Sequence, residues 1–124
     1  VRWRRGEMSI DIAGYKFTVD VQKNKVVLEH KARDDIEAKK VIDALRARYG
    51  DVAVNVHKSG RHLAIKIPMY VFERYEDIKE QVIEVLCRRL DKTKDERRKQ
   101  IITKHIKRLT LEYVPIEGVV ACRL

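Results

Sequence analysis

Hydrophobic residues along this chain switch between two periods, and the switches divide it into elements. Ser9 to Ala13 reads as a short strand that Gly14 breaks. Tyr15, Phe17, Val19 and Val21 then alternate with Lys16, Thr18 and Asp20, which is the period of a strand with one face buried. Lys23-Asn24 supplies a turn, and Val26 to Lys31 returns as the partner strand. From Asp34-Asp35, a capping pair, the period lengthens: Ile36, Val41, Ile42, Leu45 and Tyr49 recur at helical spacing until Gly50 ends the run. Val52, Val54 and Val56 mark one side of a further strand. Ser59-Gly60 turns the chain, and Leu63, Ile65 and Ile67 return before Pro68 stops the pairing.

A second helix is predicted from Tyr70, with Ile78, Val82, Val85, Leu86 and Leu90 on its core-facing stripe. A third runs from about Asp95 to Leu109, its apolar side made of Ile101, Ile102, His105, Ile106 and Leu109. The order β-β-β-α-β-β-α-α predicts an α+β fold, an antiparallel sheet covered on one face by helices. Phe17, Val19, Val54 and Ile65 belong to its buried side. Lys16, Thr18, Asn55, His57, His62 and Lys66 belong to an open side that reads as polar and cationic. The 124 residues suit one domain, with residues 1–8 a basic arm and 110–124 a tail that the pattern does not place. A start at Val1 in place of Met suggests a piece of a longer protein.

Composition narrows the function classes. No apolar run approaches the roughly 20 residues needed to cross a bilayer, so no membrane partner is expected. Cys87 and Cys122 lie far apart, without Cys or His at ligand spacing, so neither a disulfide nor a zinc site is expected and a reducing cytoplasm fits. Charged residues make up 38% of the chain, while Asn is confined to positions 24 and 55 and Gln to 22, 81 and 100, a profile suited to a thermophile. The charge is one-sided, 28 Lys and Arg against 19 Asp and Glu for a net +9, and favours a polyanionic partner.

The excess is also concentrated. Between Arg88 and Arg108 ten basic residues stand against Asp91, Asp95 and Glu96, more than helical i,i+4 pairing can neutralise. A solvated helix face in a thermophile accounts for individual lysines less awkwardly than for the whole cluster. Trp3 is set among Arg2, Arg4 and Arg5; Tyr70, Phe72 and Tyr75 bracket Arg74; and the hairpin Lys58-Ser59-Gly60-Arg61-His62 offers donors beside a glycine. Aromatics among cations suit unpaired bases, which stack on rings while phosphates take the charges. Tyr70, Phe72 and Tyr75 also fit a plainer role, closing the core.

The predicted reading is therefore a non-enzymatic binder of single-stranded DNA. Arg2, Arg4, Arg5, Lys16, Lys58, Arg61, Lys66, Arg74, Arg88 and Arg89 hold phosphates. His62 supplies a further donor, and Trp3, Tyr70, Phe72 and Tyr75 stack on bases. No cofactor, metal or catalytic residue is predicted: nucleotide-binding glycine motifs are missing, and His30, His57, His62 and His105 are scattered. One catalytic alternative stands beside it. Asp20, followed by Glu29-His30-Lys31 on the next strand, resembles the acidic pair and lysine of restriction-type nucleases and archaeal Holliday-junction resolvases, where two carboxylates share Mg²⁺ and the lysine stabilises charge at the attacked phosphate. An RNA-binding protein is a second alternative, since it uses the same basic and aromatic features.

Three stretches together resemble the ThermoDBP family, archaeal single-stranded DNA-binding proteins without an OB-fold. They are Ile10-Asp11-Ile12-Ala13-Gly14-Tyr15-Lys16-Phe17, Val56-His57-Lys58-Ser59-Gly60-Arg61-His62-Leu63-Ala64-Ile65-Lys66-Ile67-Pro68, and Val71-Phe72-Glu73-Arg74-Tyr75-Glu76-Asp77-Ile78-Lys79. The resemblance implies an antiparallel sheet flanked by helices and a basic cleft with apolar or aromatic lining. It further implies sequence-independent binding of single strands in DNA replication and repair, and a cytoplasmic, chromosome-associated location. It also implies a C-terminal coiled coil that dimerises the full-length protein; no apolar heptads follow Leu109 here, so that segment is expected to lie beyond this chain.

Overall fold

Ala13 and Gly14 join the first two strands with φ of 52° and 87°, the two positive values a type I′ hairpin turn needs. A computed structural model describes residues 8–110. The turn joins β1 (Ser9–Ile12) to β2 (Tyr15–Val21), and β3 (Val26–Ala32) follows. After α1 (Asp35–Tyr49), β4 (Asn55–Ser59) and β5 (His62–Ile67) form the second hairpin, then come α2 (Met69–Phe72), α3 (Glu76–Lys92) and α4 (Glu96–Leu109). The five strands form one antiparallel sheet in the order β1-β2-β3-β5-β4. Ala13 is the single non-glycine residue with positive φ among those described, a conformation that costs an L-residue roughly 1–2 kcal/mol. Ala13→Gly is therefore expected to stabilise the fold by about 1 kcal/mol and to raise the thermal midpoint by a few degrees.

Register assigns the faces. Ile10 and Ile12, Phe17 and Val19, Val26 and Leu28, and Ile65 and Ile67 all point to one side and are buried. There they meet Val41 and Leu45 of α1, Phe72 of α2, Val82 and Leu86 of α3, and Ile102 and Ile106 of α4. Each such side chain contributes about 1.5–3 kcal/mol on leaving water, which is why the one apolar sheet face draws all four helices to it. The α+β class and the one-sided cover stand as predicted.

Four local expectations change. The helix predicted from Tyr70 is two helices, because Tyr75 takes an extended conformation (φ −112°, ψ 110°) between them. Its ring packs on Tyr49 at 4.8 Å, while Arg48 and Tyr49 donate to the Asp77 carboxylate at 3.1 and 2.5 Å. Tertiary contacts thus break a helix that contains neither Pro nor Gly at the break. Burial disfavours ionisation of Asp77, yet the two donors outweigh it and hold its carboxyl below the usual range. The strand predicted from Val52 begins at Asn55, with Val52 in the core and Val54 half-buried before it. Its hairpin turns at Gly60-Arg61, one residue later than expected, with Gly60 at φ 61°. Finally, Cys87 is buried in α3 and disulfide-bonded, which overturns the expectation of no disulfide and its reading as a reduced thiol. No helix among the described residues is long and apolar enough to cross a membrane.

Candidate nucleic-acid interface

Two concavities flank α4, and both are cationic. Asp95 caps this helix by accepting from the Arg97 amide, and the 3.6-residue period then divides its side chains. Ile102, His105, Ile106 and Leu109 turn inward and are buried. Lys99, Lys104 and Lys107 turn away and, with Glu96, Gln100 and Thr103 and with Leu90 of α3, line an open groove of about 620 Å³ in which three cations face one acid.

On the other side, His105 donates from Nε2 to the Gln22 carbonyl at 2.7 Å, pinning the β2–β3 turn against α4. That contact closes a pocket of about 210 Å³ in which Lys23, Arg89 and Arg98 converge over Val21, Ile101 and Ile102. Desolvation and then the Arg98 charge press the Arg89 guanidinium below its ordinary value, with Asp20 pulling the other way. His105 is likewise held below its ordinary 6.5, first by burial, with the Gln22 bond opposing and Lys104 and Arg108 adding to the shift. Because the unfolded state binds the proton more tightly, stability is fully present above about pH 6.5 and is lost as pH falls below it through the folded value. Thermal melts from pH 7.5 to 5 are expected to show a falling midpoint, with a shallower fall in His105→Gln.

Ion pairing leaves much of the Arg88–Arg108 charge unbalanced. Arg88 pairs with Glu84, Lys99 with Glu96 at 3.6 Å, and Arg108 with Glu73 at 3.6 Å. Among the described residues no carboxylate forms an ion pair with Lys94, Arg97, Arg98, Lys104 or Lys107, all exposed.

The sheet's open face is polar, with Lys16, Thr18, Asn55, His57 and His62 exposed on it and Lys66 half-buried, but its charge is balanced. Lys16, Lys31 and Lys66 face Asp11, Asp20 and Glu29, and Lys66 lies 3.7 Å from Glu29. Val27 and Ala64 share this register and are buried. The expectation of a cationic sheet face is thus corrected: Asp11, Asp20 and Glu29 share that face with the lysines, a pairing that residues 11 to 66 in linear order do not display.

The predicted contacts fall in separate places. Arg2, Trp3, Arg4 and Arg5 lie outside the described residues. Lys58, Arg61 and His62 are exposed at the tip of the β4–β5 hairpin. The β3–β5 register, Ala32 with Leu63 and Leu28 with Ile67, puts that tip at the opposite end of the sheet from α2. Tyr70 is exposed, at 57%, and Arg74 is exposed in the turn after α2. Tyr75 is half-buried against Tyr49. Phe72 is fully buried in the core, so its assignment as a stacking residue is overturned. Arg88 and Arg89 stand near the end of α3, and only Arg89 of the pair lines the pocket. The described residues therefore do not gather one aromatic-lined cleft.

Sequence reasoning missed Lys23. It precedes Arg89 by 66 positions, and the His105–Gln22 contact helps bring the turn to the helices.

Asp20 and Glu29 do share a face as diagonal neighbours, and with Lys16 and Lys31 they line a shallow concavity of about 610 Å³. Asp20 accepts from Gln22 Nε2 at 2.9 Å. His30, between Glu29 and Lys31, has the opposite parity: it lies against the Tyr15 and Phe17 rings and donates from Nδ1 to the Lys16 carbonyl at 2.7 Å. No cluster of three or more metal-ligating side chains occurs among the described residues.

Fold and surface together define a five-stranded α+β fold with a basic helical hairpin packed on the apolar face of its sheet. No protein-family model matches the chain, and neither the curated proteins nor the solved structures compared with it contain a match.

Proposed function

We propose that the chain binds single-stranded DNA without sequence preference, the α3–α4 hairpin holding phosphates along the groove that Lys99, Lys104 and Lys107 line. The observation that carries this reading is the run of exposed cations on α4 and the α3–α4 loop, Lys94, Arg97, Lys104 and Lys107, with no ion-pairing carboxylate among the described residues. Phosphate contacts of this kind are independent of sequence. Tyr70 supports a single-stranded partner, since an exposed ring stacks on a base only when the base is unpaired. The ThermoDBP resemblance supports the same partner, a chromosome-associated role in the cytoplasm, and dimerisation of a longer protein. A disulfide at Cys87 is compatible with that compartment in a hyperthermophile.

Fluorescence anisotropy of labelled oligo-dT, a matched duplex and a matched single-stranded RNA tests the reading. Oligo-dT is expected to bind most tightly at equal salt. Tighter duplex binding rejects the single-strand reading, and tighter RNA binding reassigns the protein to the RNA-binding class.

A second reading rests on the concavity that holds Asp20, Glu29 and Lys31 together. A Mg²⁺-dependent nuclease predicts cleavage of duplex or branched DNA that disappears in both Asp20→Ala and Glu29→Ala. Intact DNA after prolonged incubation with Mg²⁺ removes it.

A further inference from the structure

The sheet ends in two edge strands, β1 and β4, and the fold treats them differently. In a hairpin with a two-residue turn, the residues flanking the turn bond to each other. The residue before them points its N–H and C=O away from the partner strand. On β1 that residue is Asp11, and both of its outward groups are taken. Its N–H donates to Gln81 Oε1 at 3.1 Å, and its C=O accepts from Gln81 Nε2 at 2.9 Å. One side-chain amide of α3 thus closes that edge as a neighbouring strand would. On β4 the equivalent residue is Lys58, and Val56 repeats the position two residues earlier. Among the described residues no strand lies beyond β4, and no hydrogen bond reaches the outward groups of Val56 or Lys58. Every residue of β4 is exposed.

Side chains and charge narrow the choice of occupant. Register places Val56 beside the buried Ile65, on the apolar side of the sheet, yet it is 45% exposed, so an apolar spot adjoins the open backbone. The charge here has one sign. From Val52 to Phe72 the chain holds Lys58, Arg61 and Lys66 and no acid, and among the described residues Lys58 and Arg61 form no ion pair. A nucleic acid fits this edge poorly, because a phosphate accepts hydrogen bonds and cannot donate to the open carbonyls. A second copy fits poorly as well. Two β4 strands paired antiparallel about His57, the register that joins all four open residues, set the two Lys58 side chains as diagonal neighbours between chains of net +9 each.

We propose that β4 is a docking edge for an extended acidic segment of a partner protein, which adds to the sheet as a sixth strand. Its backbone pairs with the open N–H and C=O groups of Val56 and Lys58; such main-chain bonds give affinity, and alternate side chains give specificity. On the apolar side of the sheet the segment carries an aliphatic residue against Val56 and a carboxylate against Lys58. Arg61, in the turn, takes a further carboxylate beyond the end of the strand. None of these residues lines the groove on α4, and the docking edge stands independently of the single-strand reading.

The test titrates the protein with a labelled peptide of about ten residues, glutamate alternating with valine, long enough to run the length of β4 at ~3.3 Å per residue. Binding is expected, and it is expected to weaken about tenfold in Val56→Pro, the worth of one or two backbone hydrogen bonds. Proline there removes an outward N–H, changes no charge and breaks no β4–β5 bond, and edge strands tolerate it. Lys58→Glu is expected to weaken the peptide at least as much, and circular dichroism confirms that each variant is folded. The same peptide with its backbone amides N-methylated keeps its charge, loses its donors and is expected not to bind, a control that needs no variant. Failure of the parent protein to bind the peptide overturns the proposal. So does binding that survives N-methylation or Val56→Pro, since charge alone then holds the peptide. Oligo-dT that displaces the peptide and loses affinity in Val56→Pro assigns this edge to nucleic acid and overturns the proposal too. Oligo-dT that fails to bind at all rejects the single-strand reading, while peptide binding lost in Val56→Pro still supports the docking edge.

Discussion

Glutamine placed at Lys94, Arg97, Lys104 and Lys107 together is expected to lower affinity for oligo-dT by between two and three powers of ten at about 0.1 M salt. Each phosphate contact on a single strand contributes about 0.7 to the slope of log K against log salt, so four lost contacts flatten that slope by about 2.8. The four side chains are exposed and form no ion pair with the described residues. Their replacement therefore breaks no salt bridge among the described residues, and the folded state is expected to stay within about 0.5 kcal/mol of the parent. Titrations at 50, 100 and 200 mM salt measure the slope directly. A variant that loses affinity with an unchanged slope has lost something other than phosphate contacts, and unchanged affinity removes the hairpin from the interface.

Phe72→Ala and Tyr70→Ala are expected to separate stability from binding, two positions apart in one short helix. Phe72 has no exposed surface and packs in the core, so truncation leaves a cavity and costs about 3–5 kcal/mol, a large share of the roughly 5–15 kcal/mol that holds a domain folded. The thermal midpoint is expected to fall by about 10 °C or more. Tyr70 is 57% exposed, so its truncation is expected to leave the midpoint nearly unchanged. If its ring takes a base, Tyr70→Ala weakens oligo-dT by about 1–3 kcal/mol, roughly five- to 150-fold. Parent-like affinity in a folded Tyr70→Ala protein excludes stacking there. A Phe72→Ala protein with parent stability contradicts the core placement.

The contrast between those neighbours shows how the candidate site was legible only in part. Tyr70 and Phe72 belong to one sequence cluster, aromatic residues around Arg74, and composition treats them alike. Their separation comes from a helix of four residues that turns Met69, Val71 and Phe72 inward and leaves Tyr70 out. Lys16 and Lys66 present the same problem on strands. The alternation put them correctly on the open face, but whether that face was cationic depended on Asp11, Asp20 and Glu29 sharing it, which is a matter of register between strands.

The sequence by itself determined the order and type of the elements apart from the division of the helix predicted from Tyr70, because apolar period and capping are local. Phe17 and Val19 alternate whatever lies beside them, Asp34 and Asp95 cap from within their own turns, and Gly50 stops α1 without outside help. It also determined that the basic charge is concentrated between Arg88 and Arg108. The tertiary structure alone decided what depends on distant residues meeting. The break before Tyr75 follows from the Tyr49 and Asp77 contacts, and Phe72 is placed by the packing of helix on sheet. The pocket that joins Lys23 to Arg89 and Arg98 forms where a buried histidine 83 positions along the chain helps hold the turn by its carbonyl, and no pattern read along one strand of sequence encodes that meeting.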